Sequence, residues 1–122
     1  MGKKKIPSPG LWGPLAKGAR LHYNRFKDLN QGGFTIIARI LIDNISNNPD
    51  LAAELGLSVC IEHEGRTYLL DTGGSDAFAR NADALGVDLS NVDFGILSHA
   101  HYDHADGMPC FFRRNPDAPF FL

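Results

Sequence analysis

Seven consecutive residues, Ser98-His99-Ala100-His101-Tyr102-Asp103-His104, concentrate most of the chemistry this chain can do. Three of its five histidines fall within six positions, with a carboxylate between them. Neutral imidazole nitrogens and carboxylate oxygens are the donors that borderline divalent cations such as zinc prefer. The alternative is a polar surface loop that happens to be rich in histidine; ligand type and spacing favour the metal site. Residues two apart on a regular strand point the same way, so a tight turn must aim these rings at one point. Small Ala100 makes close packing there easier. Metal-bound imidazoles usually donate their other N–H to a carboxylate or carbonyl, which fixes the tautomer. Asp71, at the end of the run Thr67-Tyr68-Leu69-Leu70, is the candidate acceptor, the alternative being an ordinary turn residue at a strand end.

Together, Asp71-Thr72-Gly73 and the Ser98–His104 run resemble the metallo-β-lactamase superfamily, whose signature H-x-H-x-D-H follows a strand. The nearest resemblance is to a branch of dihydropterin-synthase-like proteins and general metal-dependent hydrolases. That branch shows Gly-Leu-Ser at a strand start, a strand ending in Asp-Thr-Gly, and then S-H-x-H-Y-D-H. Here these are Gly56-Leu57-Ser58, Asp71-Thr72-Gly73 and Ser98 to His104, and the likeness runs from about Ile36 to Leu122.

The resemblance implies an α/β (α+β) fold: the amino-terminal half of an αββα sandwich, a mixed sheet with flanking helices. It implies that His99 and His101 ligate one metal and that Asp103 and His104 ligate a second. Two Zn2+ ions are expected in the complete family fold, although mixed His/carboxylate sites also accept manganese or iron. The implied activity is hydrolysis, with a metal-activated water attacking an ester, thioester or phosphoester-type small molecule. Asp103 is the candidate catalytic residue, orienting that water as well as binding metal. Tyr102 is expected to pack its ring, with a hydrogen bond to substrate as the other option. The pattern departs at Leu55, where the branch often carries a His between Glu and Gly. The family also draws a further His, a bridging Asp and another His from downstream loops. No His follows His104, and Asp117 sits close to the next strand. The expectation is therefore a truncated amino-terminal half, with a complementing carboxy-terminal half or a homodimer supplying the rest. The alternative is a non-catalytic remnant or subunit that needs a partner to complete the metal site. An apolar sheet face, left for the other half to cover, is expected with it.

Bulk properties set the outer bounds. One hundred and twenty-two residues suit one ordinary domain, and 43% hydrophobic with 21% charged residues is a globular composition. A formal charge of −2 demands no polyanion partner. Up to Asn30, however, Lys3, Lys4, Lys5, Lys17, Arg20, Arg25 and Lys27 face Asp28 alone. Pro7, Pro9, Gly10, Gly13, Pro14 and Gly18 punctuate the same stretch. Residues 1–33 therefore read as a basic, Gly/Pro-rich extension, and 34–122 as a partial metallo-β-lactamase-like domain. The extension lacks the stacking aromatics and amphipathic period of a nucleic-acid or membrane binder, so a solvated tail is expected. No apolar run approaches the ~18 residues that span a bilayer. The basic start has no apolar stretch behind it, and Ile6 stands where a myristoylation signal wants Ser or Thr. Cys60 and Cys110 lie in apolar contexts without C-x-x-C spacing, as free thiols of a reducing compartment would. A cytoplasmic protein is the expectation.

The elements that must hold the cluster follow from hydrophobic pattern. Phe34 to Ile42 reads as a strand, with Arg39 suggesting an edge position or an outward face. Leu51 to Leu55 could make one helical turn. Ser58–Glu62 and Thr67–Asp71 bracket His63-Glu64-Gly65-Arg66 as a hairpin, leaving His63 a solvent-facing turn residue far from Asp71. Ser75 is a candidate N-cap for a helix carrying Ala77, Phe78, Ala82 and Leu85, closed by Gly86. Strand, helix and the run Phe94–Leu97 then form a βαβ crossover, whose parallel strands bring Asp71 beside His99. Val87 to Val92 reads as a loop with Asp88 and Asp93 as solvated carboxylates. A second helix is expected from Asp106 and Gly107, with Met108, Phe111 and Phe112 inward, then a strand from Phe120.

Overall fold

The computed structural model describes residues 20–23 and 35–122. They form a six-stranded sheet in the order β1-β2-β3-β4-β5-β6. The strands are β1 (Arg20–Tyr23), β2 (Thr35–Ile42), β3 (Ser58–His63), β4 (Arg66–Leu70), β5 (Phe94–Ile96) and β6 (Phe120–Phe121). The helices are α1 (Ala77–Ala84), α2 (Tyr102–Ala105) and α3 (Met108–Arg114). β2, β3 and β4 run antiparallel, whereas β4, β5 and β6 are parallel, so the sheet is mixed and flanked by helices as expected. Of the basic extension, only Arg20–Tyr23 is described; it runs parallel to β2 at the edge of the sheet. The other readings made of residues 1–33, among them the solvated basic tail, lie outside the described residues. No described helix is long and apolar enough to cross a membrane.

The core lies on one face of the sheet. Leu41, Ile42, Cys60 and Leu69 from the strands meet Ala77, Phe78, Ala79 and Ala82 of α1 and Phe111 of α3. Pairing slips between Ile40 and Ile42, and this bulge turns both Leu41 and Ile42 into the core, each 1% exposed. The β3–β4 hairpin turns on Glu64 and Gly65 at φ 49° and 73°, the two left-handed positions of a type I′ turn. His63 is the last residue of β3, paired with Arg66 and half-buried, so it is a strand residue rather than a loop tip.

Several local expectations give way to tertiary contacts. Arg39 is not at an edge: β2 is flanked by β1 and β3, and Arg39 is buried in an ion pair with Glu62. Leu51–Leu55 makes no helical turn, because the Asn81 side chain takes both backbone groups of Ala52. Asp88 caps a short 3-10 turn, Leu89–Asn91, by accepting from Ser90. Asp93 accepts from the Thr67 backbone N–H at 2.8 Å and so pins the start of β4. Phe112 is 37% exposed although its ring meets those of Phe111 and Phe120. On the face opposite the core, expected to stand open, Tyr68 and Phe94 are buried, their ring centroids 4.8 Å apart.

Burial of Cys60 pushes its thiol from 9.0 up to about 12, the Glu62 charge adding to the effect and Arg39 opposing it. The unfolded chain thus releases this proton at a lower pH than the native one. Above pH 9 the native state should lose roughly 1 kcal/mol per pH unit to this group, with nothing lost below. Cys60→Ala should flatten urea-measured stability between pH 9 and 10. Buried Tyr68, also shifted upward from 10.0, leaves a residual slope at higher pH.

Candidate metal centre

Asp71 and Ser98 emerge side by side at the carboxyl ends of the parallel pair β4 and β5, where register matches Leu70 with Ile96. The chain turns sharply at Asp71, whose φ of 55° is left-handed, a conformation Asp tolerates better than most residues. Both of its main-chain groups are used. Its N–H donates to the Ile96 carbonyl at 2.9 Å, and its carbonyl accepts from the Ser58 hydroxyl at 2.8 Å. The carboxylate is fully buried and faces three donors. Oδ1 accepts from the Ser98 backbone N–H at 2.7 Å, while Oδ2 lies 2.6 Å from the Ser98 hydroxyl and 2.7 Å from His104 Nδ1. Three hydrogen bonds to the charged form offset its desolvation. With Nδ1–H on Asp71, the free lone pair of His104 is on Nε2.

Two loops are stitched together around this carboxylate. The His104 carbonyl accepts from both the backbone N–H and the hydroxyl of Thr72, at 2.8 and 3.1 Å. Gly107 N–H donates to the Gly73 carbonyl at 3.1 Å. Leu57 N–H donates to the Asp103 carbonyl, and a Cβ on Gly56 would stand 2.1 Å from that same oxygen. A Cβ on Gly107 would stand 2.2 Å from the Thr72 carbonyl. Glycine is needed at both positions because backbone meets backbone. Glu54 anchors the neighbouring loop, its carboxylate accepting from Gly74 N–H at 3.0 Å and the Ser75 hydroxyl at 2.7 Å. Ser75 also accepts from Ala77 N–H one residue ahead of the N-cap, which is Asp76 rather than the expected Ser75.

His99, Asp103 and His104 each offer one ligand atom, and the three atoms lie within 4.8 Å of one another. His104 Nε2 and Asp103 Oδ2 are 3.7 Å apart. Ligands on a tetrahedral cation with bonds of about 2.1 Å stand roughly 3.4 Å apart, close to the spacing of the His104–Asp103 pair. The trio cuts across the two ligand pairs implied by resemblance. His101 is the N-cap residue just before α2 and is exposed, its ring centroid 4.6 Å from that of His99, which in turn is 4.3 Å from that of His104. His101 therefore neighbours the trio without joining it. Tyr102 does not pack: it is 60% exposed, and Leu55 is 57% exposed. Sequence reasoning missed the parts played by Ser98, Glu54 and Gly107. The signal for Ser98 was its place directly after a strand and before the first histidine.

A family model described as the metallo-beta-lactamase superfamily matches residues 52–119. An uncharacterized protein of Methanocaldococcus jannaschii is 34% identical over 70 residues, covering 57% of this chain and 27% of that protein. A ribonuclease of Thermus thermophilus is 40% identical over 60 residues, covering 47% of this chain and 14% of that protein. Among solved structures, a metallo-beta-lactamase HARLDQ motif mutant from Cronobacter sakazakii superposes with a TM-score of 0.50 at 26% identity. That superposition covers 62% of this chain and 32% of the other. The chain thus spans about a quarter or less of the length of the curated relatives it matches.

Gly56→Ala and Gly65→Ala provide a paired test of the close approach. Both residues have positive φ, at 139° and 73°, but a Cβ on Gly65 meets nothing within 4 Å. Gly65→Ala should cost roughly 1–2 kcal/mol in urea unfolding, the penalty of the left-handed backbone alone. Gly56→Ala should cost more, and should lower zinc affinity at least tenfold by pushing Asp103 away. Equal effects of the two changes in unfolding and zinc titration would show that the Gly56–Asp103 contact positions nothing.

Proposed function

The chain belongs to the metallo-beta-lactamase superfamily, and from that premise we propose that it is a metal-dependent hydrolase acting on an ester, thioester or phosphoester-type substrate. The observation that carries this reading is the convergence of His99, Asp103 and His104 on one point beside a buried carboxylate that orients His104. These donors match the oxygen and nitrogen ligands of zinc, and manganese or iron would also accept them. A cation bound there supplies a water acidic enough to lose a proton near pH 7 and an electrophile for a carbonyl or phosphoryl oxygen. Asp71 holds the His104 ring in place and keeps its Nδ1 protonated, leaving Nε2 as the ligand atom. The backbone of Asp103 is held through its carbonyl by Leu57 N–H, and its carboxylate would both hold the cation and orient the water. His101, its ring centroid 4.6 Å from that of His99, is the neighbouring donor that would join a second cation. The exposed Tyr102 hydroxyl is available to a substrate at the rim.

A second cation needs donors beyond these four residues. A complementing carboxy-terminal half or a second copy of the chain would supply them. What favours this is the extent of the match, which covers only 27% of one curated relative and 14% of another. A subunit that is inactive until so completed is the alternative within this proposal. The ribonuclease name of one relative makes a phosphodiester the first probe to try.

Zinc titration and metal analysis of the purified chain test the proposal. Near-stoichiometric binding is expected, with removal by a chelator abolishing any hydrolysis of a phosphodiester or thioester probe. His104→Ala and Asp103→Ala should each weaken zinc binding by about two orders of magnitude or more, whereas His101→Ala should abolish turnover while one cation is still held. Zinc binding unaffected by loss of His104 or Asp103 would overturn the assignment.

A further inference from the structure

Resting on the reading that His99 and His104 face a common cation, we propose that Ser98 is a positioning residue that sets the tautomer of His99. The argument is a count of protons among four groups. The Asp71 carboxylate, buried and surrounded by donors, can only accept. The Ser98 hydroxyl carries one hydrogen, and Asp71 Oδ2 stands 2.6 Å away to receive it in a charge-assisted bond. Ser98 Oγ is also 2.9 Å from His99 Nδ1. Its hydrogen already committed, the oxygen can only accept there, so Nδ1 of His99 bears the proton and Nε2 bears the lone pair.

One carboxylate oxygen thereby governs two imidazoles. It takes the Nδ1–H of His104 directly and that of His99 through an intervening hydroxyl. Both rings are left with Nε2 as the unprotonated nitrogen, the one free to ligate while Nδ1 is held in a hydrogen bond. A ring at this exposed position would otherwise exchange between tautomers, and the form protonated on Nε2 cannot ligate through that atom. The Ser98 backbone N–H separately holds Asp71 Oδ1. Loss of the hydroxyl therefore leaves this bond in place, together with the main-chain bond from Asp71 N–H to the Ile96 carbonyl, and the tautomer effect can be separated from folding.

The test compares the wild-type chain with Ser98→Ala and Ser98→Thr. In metal-free protein, at a pH where the rings are neutral, long-range 15N–1H NMR correlations report which nitrogen of each histidine is protonated. Wild type and Ser98→Thr should show His99 protonated on Nδ1, and Ser98→Ala should shift it toward the Nε2-protonated form with His104 unchanged. Zinc affinity should fall ten- to a hundredfold in Ser98→Ala, as when other partners of ligating histidines are removed, and return in Ser98→Thr. His99 keeping its Nδ1 proton in Ser98→Ala would overturn the proposal, as would a zinc affinity that does not change in a folded Ser98→Ala. If the wild-type chain binds no zinc, the metal reading fails, while the tautomer measurement still decides the role of Ser98.

Discussion

A buried carboxylate with three donors around it is the constraint on which this structure turns. Asp71 is fully out of water, and a lone carboxylate there would cost several kcal/mol. Its charge is held by the Ser98 N–H, the Ser98 hydroxyl and His104 Nδ1, all within 2.7 Å. Those partners belong to the segment that follows β5, so satisfying the charge and bringing the two loops together are one event. Any arrangement that leaves the loops apart strands an anion in the interior. The left-handed turn at Asp71 is the local cost of aiming the carboxylate inward rather than along the strand.

Around that charge the backbone packs more closely than side chains would permit. Gly56 lies against the Asp103 carbonyl and Gly107 against the Thr72 carbonyl, so three chain segments meet with no Cβ between them. The Glu54 carboxylate bridges to Gly74 and Ser75, tying the loop before β3 to the start of α1. Ligand-bearing loops are usually the mobile part of a fold. Here the one segment that carries the candidate ligands is fastened by main-chain bonds at its Asp103 and His104 carbonyls, which favours a preorganised cluster over one gathered by the ion.

Farther from the site, packing keeps the supporting strands in register. Gly95 of β5 has no side chain, and the Phe120 ring lies across it where a Cβ would overlap at 2.2 Å. The rings of Phe111, Phe112 and Phe120 then meet edge to face, joining α3 to β6. Arg114 at the end of α3 pairs with both oxygens of Asp83 on α1, which holds the Asp83 carboxyl below its usual range. Exposed as it is, that pair aligns the helices more than it stabilises them.

The sequence by itself indicated β2 to β6, α1 and α3 in order, because apolar period, Gly86 and the Glu64-Gly65 turn are local signals, but neither the strand Arg20–Tyr23 nor the short helix Tyr102–Ala105. It also determined the donor types, since six residues carry three imidazoles and an aspartate whatever the fold. Pairing Asp71 with the histidine loop was legible too, through the parallel strands a βαβ unit requires. Only the tertiary structure decided that His99, Asp103 and His104 form the trio while His101 stands beside it. It alone placed Ser98 between the carboxylate and the first ring, and exposed Tyr102 and Leu55 at the rim. The reason is physical. Ser98 and Asp71 are 27 residues apart, and His104 and Asp71 are 33 apart. Side-chain direction at such contacts is set by how two loops pack, about which the period of either loop carries no information.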